Sequence, residues 1–256
     1  MPVILEFEKK VRIRYNYRHR YFIMNRKFNY TGACVPEKHY MVNIDERVEA
    51  IIALIDEGEY FSIDRPRQCG KTTTLDMLER KLSLEEYLVI SLSFEGIGDA
   101  VFSSEERFVK KFLKLMEKEI NLKDKKTASY LKQSHPEVSA LEELSQVISG
   151  IVEHSGKKIV LTIDEIDKSS NNQLFLSFLG MLRHKYLQRN KGKDYTFQSV
   201  ILAGVHDVKN LKLKIRSGDE PKYNSPWNIA VDFDLDMCFT PDEIAGMLED
   251  YKKEKK

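Results

Sequence analysis

The residues best placed to do chemistry are Gly70-Lys71-Thr72 and, much further along, the adjacent acids Asp164-Glu165. A glycine followed by lysine and threonine, where a strand gives way to a helix, suits a phosphate chain. Gly70 has no Cβ to obstruct an anion approaching the backbone. Successive N–H groups and the positive N-terminal end of the next helix then converge on the phosphate. Lys71 would reach the β- and γ-phosphates as a point charge, and the Thr72 hydroxyl would ligate magnesium. The candidate loop is Arg65-Pro66-Arg67-Gln68-Cys69-Gly70-Lys71-Thr72-Thr73. Its first residue departs from the usual pattern, which opens with glycine, because arginine tolerates positive φ poorly. Taken alone, the tripeptide reads equally well as an ordinary helix start.

Asp164 and Glu165 add weight because they follow Ile159-Val160-Leu161-Thr162-Ile163, an apolar run expected of a strand covered on both faces. A buried strand ending in an acid delivers a carboxylate to a magnesium shell, the role assigned to Asp164. Glu165 is placed to act as the general base that polarises an attacking water. The alternative is a solvated turn. Both motifs occur in the order, and on the elements, that a nucleotide-hydrolysing site needs.

The elements that must position these residues follow from periodicity. Val48, Ile51, Ile52 and Ile55 recur at helical spacing, after Asn43 and Asp45 as caps and before Gly58. The pattern then gives a strand over 60–63, a helix over 72–82 and a strand over 88–94. Amphipathic helices are expected over 105–120 and 138–154, joined by a polar, lysine-rich connection at 123–132. After the acidic strand come a helix over 173–189 and strands over 198–203 and 229–233. Thr240-Pro241-Asp242-Glu243 opens a last helix with a cap and an acidic first turn. Strands alternating with helices imply an α/β/α sandwich on a mainly parallel sheet. One strand separates the loop strand from the acidic strand, which resembles the additional-strand class of P-loop ATPases, in which a later strand inserts between those two; the strand over 198–203 is the candidate. His206 or Asp207, beyond its end, would then sense a phosphate, or serve as a plain loop histidine and a helix cap.

Composition narrows the function classes. The chain has 256 residues, 42% of them hydrophobic, enough for a large α/β core. Charged residues make up 32% but leave a net charge of only +1, which argues against a general nucleic-acid coat. A basic patch remains at 1–27, where arginines and lysines alternate with Tyr15, Tyr17, Tyr21 and Phe22. That stretch reads either as a loosely tied extension or as a nucleic-acid contact through phosphates and stacking. No run of about 18 apolar residues exists to span a membrane, and no signal peptide opens the chain. Cys34, Cys69 and Cys238 are widely spaced, consistent with reduced thiols in a cytoplasm. Cys69, at a helix N-terminus, is either a small filler or a reactive thiol whose oxidation blocks the loop. The expected organisation is an extension at 1–27, a core domain at 28–239 and a helical start at 240–256.

The runs Phe28–Val42, Tyr60–Leu75, Ile163–Asp167 and Asn224–Ile229 together resemble bacterial AAA-like ATPase-domain proteins, near the signalling (STAND-type) and predicted archaeal and bacterial AAA ATPases. Arg-x-Arg-Gln-x-Gly-Lys-Thr commonly replaces the glycine-first loop in these families. The resemblance implies ATP with Mg2+, additional-strand topology, and an adenine pocket lined by His39–Val42, hence Tyr40 and Met41, a stretch that reads equally as a helix-entry strand packing on the core. It also implies a helical lid, of which the chain carries only the first segment. ATP hydrolysis coupled to an unknown protein partner is the implied function. The rival is a nucleotide-binding switch module without turnover.

Overall fold

The computed structural model describes residues 26–82, 86–134, 137–169, 172–205 and 226–255. In chain order the elements begin with β1 (Lys27–Phe28), β2 (His39–Tyr40), α1 (Asp45–Asp56), β3 (Phe61–Asp64), α2 (Lys71–Lys81) and β4 (Tyr87–Ser93). They continue with α3 (Glu105–Lys123), α4 (Lys125–Ser134), α5 (Leu141–Ser155), β5 (Lys158–Asp164), α6 (Gln173–Arg189), β6 (Ser199–Gly204) and α7 (Pro241–Glu254). Two compact units result.

The larger unit, Ile44–Phe239, is built on a parallel sheet in the order β3-β6-β5-β4. The strand expected to insert does so: β6 pairs with β3 on one side and β5 on the other. Both faces are covered, as the continuous apolar runs require. Leu88, Ile90 and Leu92 of β4 and Ile159, Leu161 and Ile163 of β5 join Phe108, Phe112, Phe175 and Phe178 from α3 and α6 in one cluster. Side chains alternate along a strand, so Val89 and Ser91 point the other way. Val89 is buried as well, and the Ser91 hydroxyl donates to Glu79 on α2. Lys81 of α2 in turn ties to Asp45 at 3.1 Å and Glu49 at 2.6 Å on α1.

Three expectations need correction. The connection at 123–132 is largely helical, as α4. Asp124 caps it by accepting from the N–H groups of Lys126 and Thr127 at 3.1 Å. Ala128 and Leu131, three apart, are buried beneath the lysines that suggested a linker. The strand over 229–233 shrinks to a single parallel bridge between Val231 and Phe61. Beyond it, the carbonyls of Phe233 and Leu235 accept from the Arg65 guanidinium, so they do not continue a ladder. Finally, the N-cap of α1 is Ile44, which offers no side-chain cap bond, in the place expected for Asn43 or Asp45. Asp45 lies in the first turn.

The smaller unit joins residues 26–43 to those from Thr240 onward. Thr240 and Glu243 form the expected capping box of α7: Glu243 N–H donates to Thr240 Oγ1 at 3.2 Å, and Thr240 N–H donates to Glu243 Oε2 at 2.7 Å. Tyr40, Phe28 and Tyr251 pack their rings at 5.2–5.3 Å centroid spacing. Among the described residues, no helix is long and apolar enough to cross a membrane.

Candidate functional site

At the C-terminal end of β3 the chain turns through Arg65–Gly70 into α2. Two residues of this turn take the left-handed conformation, Gln68 at φ 66° and Gly70 at φ 76°. Arg65 does not, which answers the concern raised by its place in the pattern. Its N–H donates to the Gly204 carbonyl at 3.2 Å, extending the β3–β6 pairing by one bond. Its guanidinium donates to the carbonyls of Asp64 at 2.8 Å, Phe233 at 3.1 Å and Leu235 at 2.9 Å. Arg65 therefore braces the loop from behind, through a side chain occupied by backbone acceptors.

Lys71 opens α2 with its side chain turned back into the loop. Its Nζ donates to the carbonyls of Arg65 at 2.8 Å and Pro66 at 3.0 Å. Only 8% of the residue is exposed, so its charge sits within the curve of the loop. Pro66, Arg67 and Gln68 lie on the exposed rim, while Cys69 and Thr73 are half-buried.

The acidic strand end meets this loop directly. Thr72 Oγ1 donates to Asp164 Oδ2 at 2.7 Å, and Asp164 Oδ1 accepts from the N–H of Glu165 at 2.8 Å. Asp164 is buried, and its carbonyl accepts from Phe94 N–H at 2.9 Å, continuing the β4–β5 ladder. Glu165 adopts φ 56°, a conformation that side chains with a Cβ visit rarely and that concentrates at functional sites. That turn ends the strand path and starts a short 3-10 helix at Ile166–Lys168. On the second turn of α2, burial holds the Asp76 carboxyl above its ordinary range. The nearby charge of Glu79 and, more weakly, of Asp164 acts the same way, against Arg80.

A hydroxyl and a carboxylate in contact offer hard oxygen donors of the kind magnesium prefers. Lysine and threonine of the loop and the strand-end acid are thus brought together. Tyr40 and Met41 belong to the smaller unit. There Tyr40 is buried, with its hydroxyl donating to Glu254 at 2.8 Å, and Met41 is half-buried. His206, Asp207 and residues 1–25 lie outside the described residues.

Two contributors escaped the sequence reading. Asp167 accepts from Val205 N–H at 2.7 Å, tying the acidic turn to the end of β6. The clustered acids of Asp164-Glu165-Ile166-Asp167 were its only signal. Arg47 on α1 donates to the carbonyls of Asp236 and Cys238, both at 3.1 Å, and its guanidinium lies over the Phe239 ring at 5.2 Å. The Phe239 ring comes within 3.6 Å of where a Cβ on Gly70 would stand. The segment 236–239 is therefore held close to the phosphate-loop turn, a placement no local pattern announced.

The chain matches no curated protein sequence. A family model described as an AAA-like domain matches residues 37–256. That span takes in the loop, the acidic strand end and the inserted strand, in a fold of the nucleotide-binding ATPase type. The chain belongs to the AAA-like domain family.

Proposed function

We propose that this protein binds ATP with magnesium at the Arg65–Thr73 loop and hydrolyses it, with turnover coupled to a protein partner or to a conformational switch. The observation that carries this reading is the 2.7 Å bond from Thr72 Oγ1 to Asp164 Oδ2, which joins the two motifs into one site. Thr72 and Asp164 would hold the metal, which when bound neutralises phosphate charge. Lys71 would exchange its bonds to the Arg65 and Pro66 carbonyls for phosphate oxygens, at little cost in buried charge. The N–H groups at the start of α2 would take further phosphate oxygens. Glu165 would orient a water and accept its proton as the oxygen attacks the γ-phosphorus.

Calorimetric titration with ATP, with and without magnesium, on wild type and Lys71→Ala is the first test, followed by phosphate release. Wild type is expected to bind, and Lys71→Ala to lose binding. Glu165→Gln is expected to keep binding and to lose roughly 10²–10⁴ of the release rate. Binding with no phosphate release in the wild type would support the switch module without turnover. An unchanged rate in Glu165→Gln would remove that residue from the mechanism.

A further inference from the structure

Helix α3 has two faces of opposite character. Phe108, Phe112, Met116 and Ile120 recur every four residues and are buried in the core. On the other side Arg107, Lys111, Lys114 and Lys118 follow at spacings of four, three and four, which stacks them in one row. Arg107, Lys114 and Lys118 are exposed and Lys111 is half-buried. At about 1.5 Å of rise per residue the row is about 16 Å long, with about 4.5–6 Å of axis between successive charges. No acid interrupts it. Glu106 and Glu117 lie to one flank, and Glu106 is engaged by Lys110 at 2.5 Å. Arg107 donates to Ser103 Oγ at 3.2 Å, while Lys111, Lys114 and Lys118 form no ion pair among the described residues. A chain of net charge +1 thus sets a line of cations on one exposed helix face.

We propose that this row is a docking surface for a nucleic-acid duplex, held through its phosphates without reading of the bases. A duplex carries one negative charge per about 1.7 Å of its axis, so each cation of the row meets a phosphate wherever the helix settles. Phosphates also relieve the repulsion within the row. Like charges four apart, as in Arg107 with Lys111 and Lys114 with Lys118, weaken a helix. A membrane surface suits the row less well. A helix lying on a bilayer needs apolar side chains to bury beside its cations. Those of α3 face the core, and Leu122 is its one large apolar residue left exposed. A single strand binds largely by stacking on aromatic rings, and Phe108 and Phe112 are buried. An acidic protein segment matches the row only if its own acids fall in register, whereas a duplex presents charge continuously. The row uses no residue of the nucleotide loop, so the proposal does not depend on the nucleotide-binding reading.

The test follows the fluorescence anisotropy of a labelled mixed-sequence DNA duplex titrated with the full chain, from about 50 to 200 mM salt. Neutralising four phosphates gives a log–log salt slope of about −3.6, which is a loss of roughly 100-fold in affinity across that range. Lys111→Gln, Lys114→Gln and Lys118→Gln combined should make the slope shallower by about 2.7. Lys114→Gln alone should remove about 0.9, and it decides the matter if the combined variant does not fold. Taking equal charge from the end of α7, with Lys252→Gln, Lys253→Gln and Lys255→Gln, should leave the slope as in wild type. The basic stretch at 1–27 is intact in every variant, so an unchanged slope in the α3 variants assigns the contact elsewhere and overturns the proposal. It is overturned equally by an α7 control that loses as much, or by no duplex binding at about 50 mM salt. Tighter binding of the matching single strand, or binding to phosphatidylserine vesicles but not to the duplex, also sinks it.

Discussion

Arg65 shows how a residue that departs from a motif can keep the motif's geometry. A glycine there would serve a left-handed turn, but the turn uses Gln68 and Gly70 for that conformation. The arginine instead gathers the carbonyls of Asp64, Phe233 and Leu235. Substituting Arg65→Gly leaves those carbonyls to water and frees the segment that follows Val231. Hydrogen bonds to a charged group contribute roughly 1.5–3 kcal/mol each, and water recovers part of that at a half-buried site. A loss of about 2–3 kcal/mol in urea unfolding is expected for Arg65→Gly. Unchanged stability would show that the brace is idle.

At the scale of elements, the ends of β5 and β6 are locked by Asp167 and by the absence of a side chain at Gly204. A Cβ there would stand 2.9 Å from Ile166 Cγ1 and 3.1 Å from Asp167 Oδ1. Gly204→Ala therefore has to push the acidic turn aside. We expect about 1–3 kcal/mol of destabilisation, read by denaturation, and, on the proposed function, slower phosphate release from ATP in the same preparation. The helix starts make a separate prediction. Burial opposes ionisation of Asp124, but the Thr127 N–H and hydroxyl outweigh it and hold the carboxyl below its ordinary range. The N–H groups of Ser139 and Ala140 do the same for Glu143 ahead of α5. A depressed carboxyl stabilises the fold above its unfolded pKa, and the gain is lost as pH falls through the folded value. Stability to urea should therefore hold from neutral pH to about pH 5 and then fall below about pH 4. Asp124→Asn should flatten part of that acid limb.

Across the whole larger unit, a charge cluster links two helices to the connection before β6. Lys185 of α6 is 1% exposed and donates to Asp194 Oδ2 at 2.7 Å and Ser149 Oγ at 2.6 Å. The Ser149 hydroxyl donates in turn to Asp194 Oδ1 at 2.7 Å, so α5, α6 and the 190–198 stretch share one set of bonds. Burial pulls the Lys185 ammonium below its ordinary range, against Asp194, and the same contact holds the Asp194 carboxyl low. Removing the acid strands a buried charge, which costs about 3–5 kcal/mol at a fully enclosed pair. The Asp194 side chain keeps 22% of its exposure, so Asp194→Ala should cost about 2–3 kcal/mol in denaturation. Adding Lys185→Met to that variant should recover part of the loss, because a linear apolar chain can occupy the same space without a charge.

Local pattern was enough for most of the core elements, the loop and the acidic strand end, because each depends on periodicity or on a short run of backbone; the insertion of β6 followed from the likeness to the additional-strand class. The helix over 173–189 was legible to the residue, since its apolar positions all lie within it. α4 was misread because its three lysines and polar residues suggest a linker, while its buried positions are few: Thr127, Ala128 and Leu131. The strand over 229–233 was misread for a different reason. Its residues favour extension, but the carbonyl of Phe233 at its end is taken by Arg65, far away in the sequence. Contacts between distant residues leave no trace in spacing. The Thr72–Asp164 bond and the grip of Arg47 on 236–238 therefore needed the folded chain. Sequence alone named the groups able to handle a phosphate. Tertiary structure decided which of them touch, because only packing brings together residues that the chain itself keeps apart.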